Sequence, residues 1–298
     1  MAILSTVCVA LAALCWGLAG GIGAVLMANG WDAYIVALYR GGVGLVFVLI
    51  WLALSPRHSG LARRQLWIWS AVAGLGVAGN FTFYFISINE GSIAVAATLM
   101  YCAPIYVYLV SFALGLERVT LVKGVAIALV LLGVGLLTQV YDIGAAGITG
   151  LGVGAGLMSG VSYALFIFGF KFAAPYGSPQ AILAIAFAVL VAVLLGLSDP
   201  AQIAAVPFSP DWPLFAILGV FGAGLSFVLY IIGLNYTAPA VAAVVAMVEP
   251  VTAALFGAVV LSESLMAVQV AGMALILLTV TGLSVYSSTR KAPSRAES

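Results

Sequence analysis

Residues 235–263 read NYTAPAVAAVVAMVEPVTAALFGAVVLSE, and 146 positions earlier residues 89–117 read NEGSIAVAATLMYCAPIYVYLVSFALGLE. The two stretches align without a gap, since each begins with Asn, has Pro at its sixteenth position and ends with Glu. The same offset pairs Phe227 with Phe81 outside these stretches. A fixed offset close to half of the chain length indicates two copies of one unit. The sequence is therefore a tandem duplication.

The composition indicates what kind of unit was duplicated. Of the 298 residues, 65% are hydrophobic and 6% are charged, and the mean hydropathy is +1.26. Soluble domains are about half apolar and about a quarter charged. Apolar runs of about 20 residues recur, and each can cross a hydrocarbon core of about 30 Å as a helix. We predict an all-α polytopic membrane protein in contact with membrane lipids. A net charge of +1 indicates no nucleic-acid partner, which would need a basic patch.

The apolar runs predict ten transmembrane helices, five in each repeat. The predicted spans are residues 3–27, 33–54, 66–88, 92–114 and 120–138, followed by 149–172, 179–197, 212–234, 239–261 and 265–286. We expect the first five-helix repeat over residues 1–147, the second over 148–286 and a basic cytoplasmic tail over 287–298. Pro104 is predicted to kink the fourth span, because it removes a backbone donor from the helix.

The charged residues fall into two groups along these spans. With the N-terminus inside, the inner segments hold nine bases: Arg57, Arg63, Arg64, Arg118, Lys123, Lys171, Arg290, Lys291 and Arg295. The outer turns hold six acids and no base: Asp32, Glu90, Asp142, Asp199, Asp211 and Glu263. The positive-inside rule then places both termini in the cytoplasm.

The odd number of helices in each copy fixes how the copies are related. The second copy must enter the membrane upside down relative to the first. Two inverted copies, related by a pseudo-two-fold axis in the membrane plane, can open a central site alternately to each side. The architecture therefore predicts a secondary transporter that works by alternating access.

Several features together resemble the drug/metabolite transporter superfamily. They are ten spans in two halves, the pair Trp16 and Gly17 in the first span, the intramembrane Arg40, and in each half an Ala-rich fourth helix whose central Pro precedes a Glu by thirteen residues. Within the superfamily the chain resembles the EamA family, and its aromatic helices resemble the YddG-type exporters of aromatic and other neutral amino acids. The resemblance implies a multi-pass exporter of small metabolites in the bacterial inner membrane, with a central cavity between the halves. The second half has Ser162 and Tyr163 in place of Trp-Gly, so this motif is not symmetric.

Two charged residues inside the spans are candidate binding groups. Arg40 lies roughly 10 Å deep at 1.5 Å per residue, where a base needs a cavity or a partner. It is either a clamp on backbone carbonyls or a contact for a substrate carboxylate. Glu249 lies near the midplane, where an isolated carboxylate tends to take up a proton. It suits proton coupling or a substrate ammonium group, or else it is a structural acid at a kinked helix. The two residues could also pair with each other.

Aromatic and amide side chains form the rest of the predicted substrate site. They are Trp16, Tyr39, Asn80, Tyr84, Tyr101 and Tyr163. Asn80 and Tyr84 are four residues apart and so share one helix face. Aromatic rings with polar tips suit an amphipathic, ring-bearing solute, although aromatic residues also fill bundle cores and anchor interfaces. The pattern predicts no catalytic residue and no metal ligand.

Other classes of function find less support. The single histidine, His58, lies in a basic loop, and there is no HExxH, nucleophile elbow or Walker loop. We therefore predict no enzyme activity and no cofactor. A flippase or carrier of lipid-linked or other small metabolites is the alternative, followed by an enzyme or a receptor. The expected substrate is a small molecule, a neutral and preferably aromatic amino acid. The sequence leaves open uniport against proton antiport and monomer against homodimer.

Overall fold

The computed structural model of the chain describes residues 2–56, 59–142 and 149–290. Every regular element in these ranges is a helix. Three of the nine inner bases fall outside the described residues, namely Arg57, Lys291 and Arg295. A fourth, Arg290, is the last residue of the last helix. His58 and most of the predicted tail are outside them as well.

The helices confirm ten spans in two repeats of five. The first repeat has Ala2–Ala28, Ala33–Leu54, Arg64–Asn89, a fourth span made of Ile93–Met100 and Ala103–Ala113, and Leu121–Thr138. The second has Gly150–Ala173, Pro179–Leu195, an eighth span made of Trp212–Gly219, Val220–Leu225 and Ser226–Tyr236, a ninth made of Pro239–Val245 and Val248–Val260, and Ala267–Arg290. Short helices at Val140–Asp142, Pro200–Ala205 and Val206–Phe208 lie in loops. Among the described residues nine spans are long enough to cross a membrane, and the seventh is shorter.

The fourth and ninth spans are broken at equivalent places. The fourth turns at Tyr101, and the ninth turns at Met247, 146 positions later. In each case the proline follows the break and lies in the first turn of the second half-helix, where its missing N–H costs no hydrogen bond. The predicted interruption of the fourth span is confirmed, but it lies just before Pro104 rather than at it. The equivalent break in the ninth span places Glu249 in the first turn of Val248–Val260, near the middle of the bundle.

The charged residues divide between the two ends of the bundle. We call the end with Arg63, Arg64, Arg118, Lys123 and Lys171 the basic end, and the end with Asp32, Glu90, Asp142, Asp199, Asp211 and Glu263 the acidic end. Contacts between loops hold each end together. At the acidic end the Asp211 carboxylate accepts from Asn29 Nδ2 and Trp31 Nε1, both at 2.8 Å. At the basic end Arg63 Nη1 donates to the Pro175 carbonyl at 3.3 Å.

Glycines let the spans of the two repeats approach closely. An added Cβ at Gly169 in the sixth span would lie 2.6 Å from the backbone nitrogen of Ala73 in the third span. An added Cβ at Gly17 in the first span would lie 2.5 Å from the carbonyl oxygen of Glu249 in the ninth span. Such contacts are the usual basis of helix packing in membranes. The core therefore lies between the two repeats.

Candidate functional site

A cavity of about 310 Å³ lies among the first four spans, the eighth span and the ninth span. Its volume is at the lower end of the range of roughly 300–1,000 Å³ for small-molecule sites. Its polar lining consists of Trp16, Arg40, Asn80, Tyr84, Tyr101 and Glu249. From these residues the cavity extends to the acidic end, where Met27 and Ile93 line it and are exposed. None of the lining residues lies at the basic end.

Two unlike groups hold Arg40 in the second span. Its Nε donates to the carbonyl oxygen of Gly222 at 2.9 Å, and its Cζ lies 5.4 Å from the centroid of the Phe81 ring. Gly222 belongs to the π-helical stretch Val220–Leu225, and π-helical turns are rare and often found at functional sites. Among the described side chains no acid is within ion-pair distance of Arg40. The guanidinium therefore faces the cavity without a carboxylate partner.

Glu249 is the acid of the same cavity. The hydroxyl of Tyr163 donates to Glu249 Oε2 at 3.5 Å, so Tyr163 lies next to the carboxylate. Glu249 and Arg40 line the same cavity, but they form no direct ion pair. The hypothesis that they pair with each other therefore does not hold in this conformation. The site instead presents a cation and an acid at separate positions.

Two buried polar atoms at or next to the cavity lack hydrogen-bond partners. Trp16 Nε1 and the hydroxyl of Tyr230 are buried and form no hydrogen bond within the described ranges. The two rings lie 4.8 Å apart, and Trp16 also packs 4.9 Å from Phe227. Buried polar atoms without partners are rare in native proteins and call for an explanation. Of these two residues only Trp16 lines the cavity, and Tyr230 packs against it.

Tyr230 was missed by the sequence analysis of the site. The signal that could have found it is the repeat itself, because the offset of 146 places Tyr230 over Tyr84, which was predicted. Tyr84 lines the cavity and Tyr230 is fully buried beside Trp16. The two equivalent tyrosines therefore lie near the same site.

The remaining predicted residues differ in their positions. The side-chain amide of Asn80 lines the cavity and also donates to the carbonyl and hydroxyl of Ser159, at 3.1 and 3.0 Å, which joins the third span to the sixth. Tyr39 lies apart from the cavity: its hydroxyl donates to the Ile203 carbonyl at 2.7 Å and its ring packs 5.3 Å from Phe215. The structure thus brings seven of the eight predicted residues together, with five of them around Arg40 and Glu249.

The chemistry of this site is that of binding. In the part of the chain that the structure describes, no group of three or more His, Cys, Asp or Glu residues could hold a metal ion. One cation, one acid, several aromatic rings and an amide surround a small space. Such a lining can bind a small solute that has both charged and apolar parts.

Ten apolar spans in two five-helix repeats, with a charged cavity between them, define a multi-pass membrane protein of the transporter class. Two matches to one family model agree with this. The EamA-like transporter family matches residues 4–139 and again residues 150–285. The chain belongs to this family, and the predicted resemblance to EamA proteins is confirmed at that level.

Individual proteins show the same similarity. An uncharacterized transporter of Archaeoglobus fulgidus is 33% identical over 211 residues, which cover 68% of this chain and 72% of that protein. A protein of known crystal structure shares the fold with a TM-score of 0.77 at 18% identity, over 97% of this chain and 99% of that chain. The family and the relative indicate small-molecule transport across a membrane rather than an enzyme activity.

Proposed function

We propose that this chain exports neutral amino acids, with aromatic ones preferred, across the bacterial inner membrane by alternating access. The observation that carries the proposal is the placement of Arg40 and Glu249 in one small cavity without a direct ion pair. Two opposite charges at separate positions match a zwitterion, which has no net charge but two charged ends.

Each end of an amino acid finds a suitable group in this arrangement. The planar guanidinium of Arg40 suits a carboxylate, which it can bind through two parallel hydrogen bonds. Glu249 suits the ammonium group, and the neighbouring tyrosine rings add cation–π attraction. Phe81, Phe85 and Trp16 line the space beyond, and they suit an aromatic side chain. The presence of these three rings in the lining supports the proposed preference for aromatic amino acids.

The distribution of charge supports the direction of exposure. The basic end is the cytoplasmic end by the positive-inside rule, and the cavity reaches the acidic end. In this orientation the site is open to the outside. Because the second repeat is an inverted copy of the first, exchange of their conformations would open the site to the cytoplasm. Export then requires loading from the cytoplasmic state and release in the state described above.

Glu249 also offers a route for energy coupling. An acid inside a membrane protein is commonly part of a proton pathway. If the ammonium group and a proton compete for this carboxylate, release of the amino acid outside is favoured when protons are abundant there. Export is then driven by the substrate's own gradient or by exchange for protons through Glu249.

The test is exchange of labelled phenylalanine in proteoliposomes at two pH gradients, for the wild type and for Glu249→Gln. We expect exchange by the wild type that responds to the gradient, and loss of that response in the variant. The matched control is Asp199→Asn, which neutralises an exposed acid outside the cavity and keeps a residue that can cap a helix.

Each other outcome has a defined meaning. Fast exchange that ignores both the gradient and the substitution would make the protein a uniporter and return Glu249 to a structural role. Absence of phenylalanine exchange by a folded wild-type protein would overturn the amino-acid proposal, and it would favour a carrier of lipid-linked or other small metabolites.

A further inference from the structure

Two glutamates that the repeat makes equivalent have opposite environments in this structure. Glu117 follows the fourth span and Glu263 follows the ninth, and they are 146 positions apart. The side chain of Glu117 is 4% exposed, whereas Glu263 is exposed. Because the repeats are inverted, Glu117 lies at the basic end and Glu263 at the acidic end. The difference therefore reports on which end of the cavity is closed.

Glu117 joins the two repeats at the closed end. Its Oε1 accepts from the backbone nitrogen of Ala240 at 2.9 Å, near the start of the ninth span. Its Oε2 pairs with the ammonium group of Lys123, at the start of the fifth span. Charge-assisted hydrogen bonds of this kind are stronger than neutral ones. One carboxylate thus fixes the fourth span of the first repeat to the ninth span of the second.

The neighbouring loop is held by further polar contacts. Lys171 donates to the carbonyl oxygens of Leu234, Asn235 and Thr237 at the end of the eighth span. The hydroxyl groups of Ser5 and Thr237 are 2.9 Å apart and hydrogen-bonded. The segment between the eighth and ninth spans is therefore tied to the first and sixth spans as well as to Glu117.

The equivalent groups at the acidic end make no such closure. The Glu263 carboxylate has no hydrogen bond or ion pair to any described residue. The position equivalent to Lys123 is Gln269, whose side chain is engaged with the Met266 nitrogen and the Leu137 carbonyl. The positions equivalent to Lys171 and Ser5 are apolar, namely Val25 and Leu151. This is the end to which the cavity extends.

We propose that Glu117 and Glu263 are paired gating residues of the transport cycle. When the cavity is open at the acidic end, Glu117 binds the start of the ninth span and closes the basic end. When the repeats exchange conformations, Glu117 is released, and Glu263 binds the backbone nitrogen of Ala94, the residue equivalent to Ala240. The proposal rests on the alternating access put forward above, but it does not depend on the identity of the substrate.

The two gates are unequal in strength. Glu117 has a cation beside it in Lys123, whereas Glu263 has only the neutral Gln269 in the equivalent place. We therefore expect closure of the basic end to be the more stable of the two arrangements. This inequality accounts for the closed basic end and for the cavity that opens at the acidic end in this structure.

The test measures how fast a soluble maleimide labels single cysteines, in a background where Cys8, Cys15 and Cys102 are replaced by Ser. Ile88→Cys reports on the cavity at the acidic end, and its equivalent Leu234→Cys reports on the basic end, where Leu234 is fully buried. No substrate is added, so failure of this test and failure of the amino-acid proposal are distinguishable.

Removal of the Glu117 contacts should shift the equilibrium. We expect Glu117→Ala to raise labelling of Leu234→Cys by about tenfold or more, the effect of losing a charge-assisted hydrogen bond, and to lower labelling of Ile88→Cys. Glu117→Gln, which keeps an acceptor for Ala240 and loses the ion pair, should give a smaller shift and is the variant to use if the alanine protein does not fold.

The equivalent residue supplies the matched control. Glu263→Ala should leave Leu234→Cys protected and make its labelling slower still. Glu263 makes its proposed contact only in the state that is open at the basic end, so the substitution destabilises that state alone. The double variant Glu117→Ala, Glu263→Ala should lie between the two single variants. The proposal would be overturned if Glu117→Gln and Glu117→Ala leave Leu234→Cys protected, or if they raise labelling at both reporters, which would indicate general loosening of the bundle.

Discussion

Arg40 is a cation in the interior of the second span, and the contacts that position it are a π-helical carbonyl and an aromatic face. A guanidinium in a membrane interior costs several kcal/mol unless it is partnered or faces a cavity. The Gly222 carbonyl uses the Nε–H, and the Phe81 ring covers the guanidinium. The terminal nitrogens form no hydrogen bond to a described residue, so both can serve the substrate carboxylate proposed above.

This arrangement predicts that charge alone is not sufficient at position 40. Arg40→Lys keeps the charge but replaces the planar fork by a single ammonium group, which cannot both reach Gly222 and bind a carboxylate through two bonds. We expect phenylalanine exchange to fall by about tenfold or more, as for loss of one charge-assisted hydrogen bond. Exchange of phenylalaninamide, which has no carboxylate, should change much less.

The control for this prediction is Arg118→Lys, because Arg118 is exposed at the basic end and lies outside the cavity. An equal loss for phenylalanine and its amide would contradict a carboxylate contact. That result would instead favour a purely structural role of Arg40 as a clamp on the eighth span.

At the scale of elements, the sixth span has glycines on two different faces. Gly152, Gly156 and Gly160 face the third and fourth spans, and an added Cβ at each would lie within about 3 Å of neighbouring atoms, such as 2.6 Å from Leu99 Cδ1 at Gly156. Gly150 and Gly154 have nothing within 4 Å of an added Cβ. The first face is the packing surface, and the second is not.

Glycine-to-alanine substitution should therefore have opposite effects on stability at the packed and the open positions of the sixth span. Gly169→Ala places a methyl group against the backbone of Ala73, which cannot rotate away, and it should lower the free energy of unfolding by about 1–3 kcal/mol. Gly154→Ala meets nothing and should leave stability unchanged or raise it by up to about 1 kcal/mol. Thermal unfolding of the purified protein in detergent measures both. Similar loss in the two variants would show that the third and sixth spans are not packed as described.

The breaks in the fourth and ninth spans also affect how the two halves of each span can move. Each half-helix can tilt without breaking a continuous ladder of backbone bonds, because the ladder is already interrupted at Tyr101 and Met247. Glu249 and Tyr101 lie next to these breaks and also line the cavity. A tilt of one half-helix would therefore change the site and the gate at Glu117 together.

At the scale of the whole molecule, charge is separated between the two ends and the cavity reaches only one of them. The basic end is closed by contacts of Glu117, Lys171 and Ser5, and the acidic end carries the opening. Orientation in the membrane decides what this asymmetry means for transport. The orientation in the membrane is therefore the property that should be measured at this scale.

We predict that the basic end is cytoplasmic. With the native cysteines replaced, a membrane-impermeant maleimide added to intact cells should label Asp199→Cys in the acidic end and leave Arg64→Cys unlabelled until the membrane is permeabilised. Both positions are exposed, so burial cannot mimic protection by the membrane. The reverse pattern would invert the orientation, and with it the proposed direction of export.

The sequence alone was sufficient for the duplication, the ten helical spans, the interrupted fourth and ninth helices and the membership of the EamA family. These follow from local properties: an apolar run must be long enough to cross a bilayer, a polar cap or a proline ends or interrupts a helix, and a repeat is visible as a fixed offset. None of them depends on how one helix is turned relative to another.

Only the tertiary structure decided how the candidate residues are arranged. It separates Arg40 from Glu249, turns Tyr39 away from the cavity, buries Tyr230 beside Trp16, and closes the bundle at Glu117. Each outcome depends on the rotation and separation of helices that are far apart in sequence, and packing against the other repeat sets both quantities. Spacing along the chain fixes which residues share a helix face, but not which face meets the cavity.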